Sequence, residues 1–233
     1  MAVNINTVYL RVLAIANKEQ RGYITPQEFN TLANQAQLDI FEQYFYDLNQ
    51  FLRLPGNDTI HSDAVDMLEE KIGIFEVYDA PITSSDTLSE QNVHKLGAVY
   101  NSTIINGVQT KVEAEKLNPN ELRYYLNSPL TAPTVKRPIF IVQTDLITVL
   151  PAEADSLSMN YIKKPADVYW GYVMINDEAL YNPSTSTNFE LHASEETELV
   201  LKILTLAGVT IRDPQLYQIA ATEDAKNIQQ EKQ

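Results

Sequence analysis

The chain has 233 residues, of which 44% are hydrophobic and 21% charged, a composition typical of a folded protein that buries a sizeable core. Its 31 acidic and 17 basic residues give a formal charge of −14, which argues against a dedicated nucleic-acid-binding function because phosphate neutralisation needs a surplus of lysine and arginine. There is no cysteine, so disulfides, cysteine nucleophiles and thiolate-bound zinc are excluded.

Nothing in the sequence resembles a membrane-targeting segment. Residues 1–20 lack the basic region and apolar run of a signal peptide, and no window approaches 18 consecutive apolar residues. We therefore expect no membrane partner.

Two helices are predicted at the start of the chain. Residues 4–18 carry apolar side chains at spacings of three and four, and Gly22 ends this pattern. Thr25-Pro26-Gln27-Glu28 then has the sequence of a capping box, with proline at the first helical position. The helix that follows runs to about Leu52 and is apolar on two sides. A helix of this kind is buried between neighbours or shared with another subunit.

The next elements are a helix and a loop. A third helix is predicted from about Ser62 to Phe75, after a turn at residues 55–58. The polar residues 79–92 are interpreted as a linker.

The middle of the chain is predicted to be rich in β-strands. Asn106-Gly107 lies between β-branched residues and predicts a tight hairpin. Asn118-Pro119-Asn120-Glu121 predicts the start of a short helix that ends near Asn127. Three further strands are predicted at residues 139–143, 146–150 and 157–163.

Helices return at the end of the chain. Ser194 is predicted to cap a helix whose first turn holds Glu195 and Glu196, and Gly208 is predicted to end it. Asp213-Pro214 indicates a last helix, followed by a polar, glutamine-rich tail at residues 226–233.

This order predicts an α+β fold in which N-terminal and C-terminal helices form one helical domain and an antiparallel β-meander is inserted between them. The expected boundaries are 1–78 for the N-terminal helical part, 79–92 for the linker, 93–185 for the β-rich insert with its short helix, and 186–233 for the C-terminal helices.

Residues 17–28 match part of a calcium-binding EF-hand loop. Asn17, Glu19, Gly22 and Glu28 occupy positions 1, 3, 6 and 12 of such a loop, between two helices. Arg21, however, places a cation at position 5, among the oxygen ligands. We therefore favour a capped helical turn over a calcium site.

Other candidate chemistry is equally sparse. His61 with Asp63 and Asp66 could gather a divalent metal, but solvated acidic residues in a first helical turn explain them better. Glu69-Glu70 and Glu195-Glu196 suggest a glycoside hydrolase, yet adjacent residues on a helix point about 100° apart and do not face each other across a cleft. We interpret both pairs as solvated helix faces. The sequence thus assigns no catalytic, cofactor-binding or metal-binding residue.

Among the aromatic residues tyrosine is the most abundant, with 13 tyrosines against one tryptophan. Tyrosine and tryptophan are enriched at protein interfaces, although core burial is the alternative for each of them. The candidate interface residues are Tyr44, Tyr46, Tyr169, Trp170 and Tyr172.

Several segments resemble virion structural proteins of tailed bacteriophages, in particular the head-to-tail connector, neck and tail ring proteins of crAss-like and related short-tailed phages. The resemblance is strongest at Asn4-Ile5-Asn6-Thr7-Val8-Tyr9 and over residues 16–30. It continues at Asn127-Ser128-Pro129, at residues 161–165 with Trp170, and in the closing helix and glutamine-rich tail. It covers about half of the chain.

The resemblance implies a non-enzymatic structural protein that is assembled in the host cytoplasm and located in the neck or tail of the virion. It implies a cyclic homo-oligomer, twelvefold in the family, that joins the portal protein to adjacent tail, ring or fibre proteins and surrounds the DNA channel without binding DNA specifically. A head decoration protein or fibre adaptor, a calcium-binding module and a virion hydrolase are the alternatives.

Overall fold

The computed structural model describes residues 2–18, 24–53, 59–82, 88, 91–105, 108–151, 156–176, 178–210, 222 and 226. The fold is α+β, as predicted, and it forms two compact units. Met1–Ile74 and Pro165–Gln233 form the first, which we call the helical unit, and Phe75–Lys164 form the second, the β unit. No helix among the described residues is long and apolar enough to cross a bilayer.

Among the described residues, the helical unit contains the following four α-helices and one β-hairpin. They are α1 (Ile5–Lys18), α2 (Pro26–Arg53), α3 (Thr59–Gly73), α5 (Glu196–Thr210), β7 (Tyr172–Ile175) and β8 (Glu178–Tyr181). Helix α2 packs against α3 and α5, and α1 packs against α5. The apolar stripes predicted from sequence supply this core, which includes Ile5, Val8, Phe29, Ala33, Ile40, Phe41, Leu199 and Ile203.

The predicted capping box at the start of α2 is confirmed. The Glu28 N–H donates to Thr25 Oγ1 at 3.3 Å, and the Thr25 N–H donates to Glu28 Oε2 at 3.0 Å. These hydrogen bonds, first from the Thr25 backbone and then from its hydroxyl, hold the pKa of Glu28 below its ordinary value. Glu28 is therefore occupied as a helix cap. Residues 19–23 of the calcium-loop pattern, including Gly22 and Arg21, lie outside the described residues.

The β unit is built on a six-stranded sheet. Its strands are β1 (Glu76–Ile82), β2 (Val93–Ile105), β3 (Val108–Lys116), β4 (Ile139–Gln143), β5 (Leu146–Leu150) and β6 (Ser156–Lys163), and the short helix α4 (Leu122–Asn127) lies between β3 and β4. The order in the sheet is β1-β6-β2-β3-β4-β5. One face holds a core of Ile82, Val99, Ala114, Phe140, Ile147, Val149 and Met159.

The sheet is not the simple antiparallel meander that was predicted. Strands β3 and β4 pair in parallel, with Glu115 opposite Ile139, while the other pairs are antiparallel. A parallel pair needs a crossover connection, and the segment containing α4 provides it. Strand β6 also inserts between β1 and β2, a long-range pairing that local sequence patterns do not contain.

Three predicted boundaries differ from the structure. The predicted linker at 79–92 begins inside β1, because this strand continues to Ile82 and its residues 80–82 pair with β6 after a register shift between Val77 and Ala80. The predicted insert at 93–185 is too long, since the β unit ends at Lys164 and the β7–β8 hairpin belongs to the helical unit. Helix α4 begins at Leu122 without a side-chain cap, because the Asn118 side chain accepts from the Asn120 N–H in the preceding turn.

The start and end of α5 also differ from the prediction. Ser194 lies inside a 3-10 turn, Ala193–Glu195, and the His192 Nδ1 caps this turn by accepting from the Ser194 N–H at 3.3 Å. Helix α5 then continues through Gly208 to Thr210. Four predicted segments lie outside the described residues. They are the turn at 55–58, the Asn106-Gly107 turn, the helix from Asp213 and the tail from 227.

Candidate functional site: a clamped hairpin with an exposed apolar face

An extended segment, residues 165–171, leads into the β7–β8 hairpin and is held by side chains of α2. Three amide residues of α2 at positions i, i+4 and i+7 lie on one face of that helix. They bind the backbone of alternate residues of the segment. The amides are Asn30, Asn34 and Gln37, and the residues that they bind are Trp170, Val168 and Ala166.

Two of the amides bind both the N–H and the carbonyl of their partner. The Val168 N–H donates to Asn34 Oδ1 at 2.7 Å, and Asn34 Nδ2 donates to the Val168 carbonyl at 3.0 Å. The Trp170 N–H donates to Asn30 Oδ1 at 2.7 Å, and Asn30 Nδ2 donates to the Trp170 carbonyl at 3.4 Å. Each side chain therefore replaces the pair of hydrogen bonds that a residue of a neighbouring antiparallel strand would make.

Gln37 extends the clamp to a second segment of the chain. Its Nε2 donates to the Ala166 carbonyl at 2.8 Å, and its Oε1 accepts from the Glu190 N–H at 3.1 Å. Glu190 Oε2 in turn accepts from the Ala166 N–H at 3.1 Å. The backbones of Tyr169 and Thr187 exchange hydrogen bonds of 3.2 and 2.8 Å. The segment is thus held from both sides.

Trp170 connects this clamp to the hydrophobic core and to the hairpin. Only 3% of the residue is exposed, and its Nε1 donates to Asn6 Oδ1 at 3.1 Å. The ring centroid lies 4.2 Å from that of Tyr9 in α1, 5.9 Å from Tyr172 and 5.7 Å from Tyr181. The two tyrosines face each other across the base of β7 and β8, so the indole fixes where the hairpin begins.

A glycine makes the turn from the clamped segment into β7 possible. The Gly171 N–H donates to Ser186 Oγ at 3.0 Å, and its carbonyl accepts from the Asn182 N–H at 2.8 Å. A β-carbon at this position would overlap Thr185 Oγ1 and lie 2.9 Å from the Thr185 carbonyl carbon. The close approach of the two backbones therefore requires glycine.

The hairpin carries apolar side chains that the described part of the chain leaves exposed. Residues opposite each other in an antiparallel pair lie on the same side, and Val173 faces Leu180 while Ile175 faces Glu178. Val173, Ile175 and Leu180 are 47%, 51% and 49% exposed. We call Val173, Ile175, Glu178 and Leu180 the hairpin face. It lies on the opposite side of the hairpin from Tyr172 and Tyr181, which contact Trp170.

The hairpin strands also have unpaired edges. Within the described residues β7 and β8 pair only with each other. A two-stranded hairpin is marginally stable by itself, and this one is stabilised at its base by the clamp. An exposed apolar face on a rigidly anchored hairpin is a surface suited to binding another protein.

The five predicted interface residues divide into two groups. Tyr44 and Trp170 are buried, which is the core alternative given for them above. Tyr46 and Tyr169 are exposed, and Tyr172 is half-buried beneath the hairpin. Tyr169, Trp170 and Tyr172 are brought together at the hairpin base, whereas Tyr44 and Tyr46 lie on α2.

A buried ion pair links α3 to the start of α5. Lys71 Nζ lies 2.7 Å from Glu195 Oε1, and Glu195 is only 2% exposed. Burial raises the pKa of Glu195, but hydrogen bonds from Glu198, Lys71 and Ser194 and the charge of Lys71 outweigh it and lower the pKa below its ordinary value. The interpretation of Glu195-Glu196 as a solvated face is therefore wrong for Glu195. Glu196 forms a salt bridge with Arg11, with 3.1 Å between Glu196 Oε1 and Arg11 Nη1.

The structure gives no new support to the metal and hydrolase alternatives. Among the described residues no group of three or more histidines and carboxylates is placed to hold a metal ion. The side chain of His61 is outside the described part, and Asp63, Asp66, Glu69 and Glu70 are exposed on α3.

Sequence reasoning missed the amides of α2 and the hairpin that they support. Asn30, Asn34 and Gln37 have the spacing of a helix face, but polar residues on a helix are usually solvated, so the spacing alone does not reveal a buried face. The hairpin did have a signal. Apolar Tyr172-Val173-Met174-Ile175 is followed by Asn176, and Asn176 takes the left-handed conformation (φ 53°) that asparagine tolerates in turns.

Comparison with models of known protein families finds no match, and a search of curated proteins finds no significant relative.

Proposed function

We propose that this chain is a non-enzymatic structural protein of a tailed bacteriophage virion, which assembles into a ring in the neck or tail, joins the portal to the tail and surrounds the DNA channel. The observation that carries the proposal is the hairpin face, an apolar surface held on a rigid base and left exposed by its own subunit. The sequence resemblance to phage connector and ring proteins supplies the biological setting.

The charge of the chain supports the channel part of this proposal. A subunit with a formal charge of −14 repels the DNA backbone, and like charge lowers nonspecific binding. A channel wall of such subunits lets DNA slide without adhering. If the acidic residues all faced away from the channel in the assembled particle, this electrostatic role would be lost.

The oligomeric state of the purified full-length chain tests the proposal. Mass photometry and negative-stain electron microscopy, with and without the portal protein, are expected to show a discrete closed ring, twelvefold by the resemblance. A chain that remains monomeric in both conditions overturns the proposal. A complex that binds only the capsid surface or a fibre favours a decoration protein or a fibre adaptor instead.

A matched pair of leucine variants tests the role of the hairpin in assembly. Leu180→Gln on the hairpin is expected to lower the ring population at least tenfold at the concentration where half of the wild-type chains are assembled. Leu10→Gln on α1 removes a similarly exposed leucine, 57% against 49%, and is expected to leave assembly unchanged. Equal effects of the two variants would remove the hairpin from the contact.

A further inference from the structure

The β7–β8 hairpin is held in place by two different helices. The amides of α2 hold the backbone of the segment that enters it, through the paired hydrogen bonds of Asn34 and Asn30. The indole of Trp170 is held separately by α1, because its Nε1 donates to Asn6 Oδ1 at 3.1 Å and its ring lies 4.2 Å from that of Tyr9. Helix α2 therefore sets the path of the backbone, whereas α1 sets the plane of the indole.

The plane of the indole affects the hairpin because two tyrosine rings lie against it. The Tyr172 ring makes an angle of 22° with the indole at a centroid distance of 5.9 Å, and the Tyr181 ring makes an angle of 30° at 5.7 Å. These tyrosines are opposite each other in the first pair of the hairpin, so they lie on the same side of it. A rotation of the indole would therefore tilt the base of the hairpin, and the hairpin face with it.

The segment that leaves the hairpin is bound to the start of α1. Asn188 Oδ1 accepts from the Ile5 N–H at 3.1 Å, and the Phe189 N–H donates to the Val3 carbonyl at 3.2 Å. Val3, Ile5 and Phe189 are buried. The chain just after the hairpin is thus attached to the residues that begin α1.

The first turn of α1 is itself capped, which holds these contacts in one geometry. Asn4 Oδ1 accepts from the Asn6 N–H at 2.9 Å and from the Thr7 N–H at 3.2 Å. Asparagine at this position provides a partner for backbone donors that a helix start otherwise leaves unpaired. Asn6, which binds the indole, is therefore fixed through its backbone as well.

We call Val3, Asn4, Ile5 and Asn6 the strap. The strap contacts the chain on both sides of the hairpin, at Trp170 before it and at residues 188–189 after it. A two-stranded hairpin is marginally stable by itself, so its opening depends on its supports. Parts of a protein can also open locally while the rest remains folded.

We infer that the strap sets the direction of the hairpin face, and that release of the strap frees the hairpin while the α2 clamp stays closed. The strap is a conformational device within one chain, so the inference goes beyond the proposed ring. Only the effect of the strap on assembly rests on the proposed function.

Hydrogen exchange of the full chain, resolved to single amides, tests the strap. Asn6→Leu keeps the size of the side chain but removes the acceptor of the indole N–H, and Asn188→Leu removes the acceptor of the Ile5 N–H. Each variant is expected to accelerate exchange of the hydrogen-bonded amides of β7 and β8 by about tenfold, because a buried donor loses its partner. Exchange in α2 and α5 is expected to change by less than about twofold.

Matched variants separate the strap from a general loss of stability. Asn6→Asp keeps an acceptor oxygen for the indole and is expected to retain the wild-type exchange of the hairpin. Asn49→Leu makes the same substitution at an exposed asparagine of α2 and is expected to leave exchange unchanged. Asn188 is exposed, so Asn188→Leu gives the result even if Asn6→Leu does not fold. Unchanged hairpin exchange in Asn188→Leu, or equal acceleration in the hairpin and in α2 and α5, overturns the inference.

Mass photometry of the same variants keeps this test apart from that of the proposed function. Faster exchange of the hairpin with loss of rings supports both the strap and the hairpin contact. Faster exchange with rings intact supports the strap and removes the hairpin from the ring contact. Unchanged exchange overturns the strap, whatever oligomer the wild-type chain forms.

Discussion

The amide side chains of α2 show how a few residues can position an interaction surface. Asn34 makes three hydrogen bonds, two to the backbone of Val168 and one to the carbonyl of Asn30 at 2.8 Å. An amide can replace a strand partner in this way because it offers one acceptor and one donor with the spacing of a peptide group. Alanine at this position leaves backbone groups without partners in a partly buried site.

Asn34→Ala is therefore expected to lower the free energy of unfolding by about 2–4 kcal/mol, since a polar group left unpaired costs about 1–3 kcal/mol and Val168 loses two partners. Urea unfolding monitored by the fluorescence of Trp170, the single tryptophan, measures the effect close to the clamp. Gln35→Ala, on the exposed side of α2, is the control and is expected to change stability by less than about 0.5 kcal/mol. Equal effects of the two substitutions would contradict the clamp.

The buried ion pair between Lys71 and Glu195 predicts a pH dependence of stability. Because the pKa of Glu195 is lowered in the folded protein, ionised Glu195 stabilises the fold above the ordinary carboxyl pKa of 4.5, and this contribution is lost as the pH falls below it. The stability difference between the wild type and Glu195→Gln is thus expected to shrink between pH 6 and pH 3. A difference that is constant with pH would contradict it. Thermal unfolding across this range is the measurement.

At the scale of elements, the turn from the clamped segment into β7 depends on one residue without a side chain. Gly171→Ala forces a methyl group against Thr185, and the backbone on both sides is held by hydrogen bonds to Ser186 and Asn182. We expect a loss of about 1–3 kcal/mol, as for overpacking in a core. Chemical denaturation measures the loss.

Gly73→Ala supplies the matched control for this substitution. Nothing lies within 4 Å of a β-carbon at Gly73, the last residue of α3. Alanine is a better helix former than glycine by about 1 kcal/mol, so stability is expected to stay the same or rise. If Gly171→Ala were equally neutral, the close approach to Thr185 would not constrain the hairpin.

At the scale of the whole molecule, the acidic charge governs encounters with nucleic acid. Fluorescence anisotropy with a labelled DNA duplex at about 0.15 M salt is expected to show no saturable binding, because the chain lacks the cationic surplus that counterion release requires. The neighbouring Lys136 and Arg137 give this expectation its strictest test, since both of these cations are exposed. DNA binding that weakens steeply with salt and is lost in Lys136→Glu would overturn this expectation.

The sequence by itself determined the helical part of the fold and several of its ends. The apolar spacing of α1 and α2 and the capping box at Thr25 and Glu28 are local signals, set by neighbouring residues on one helix, and the structure confirms them. Strands β4, β5 and β6 were also found, because alternation or a short apolar run is local as well. The α+β class follows from these elements.

Only the tertiary structure decided how the strands pair and which surface remains exposed. Three features depend on residues far apart in sequence. They are the insertion of β6 between β1 and β2, the parallel pairing of β3 with β4, and the burial of Glu195. The same reason explains the candidate site. Asn30 and Trp170 are separated by 140 positions, and the sequence near either residue does not indicate that the Asn30 amide binds the backbone of Trp170. Whether a side chain is buried depends on the folded core and not on its neighbours in sequence. Only the tertiary structure therefore shows that Trp170 is covered while the hairpin face stays exposed.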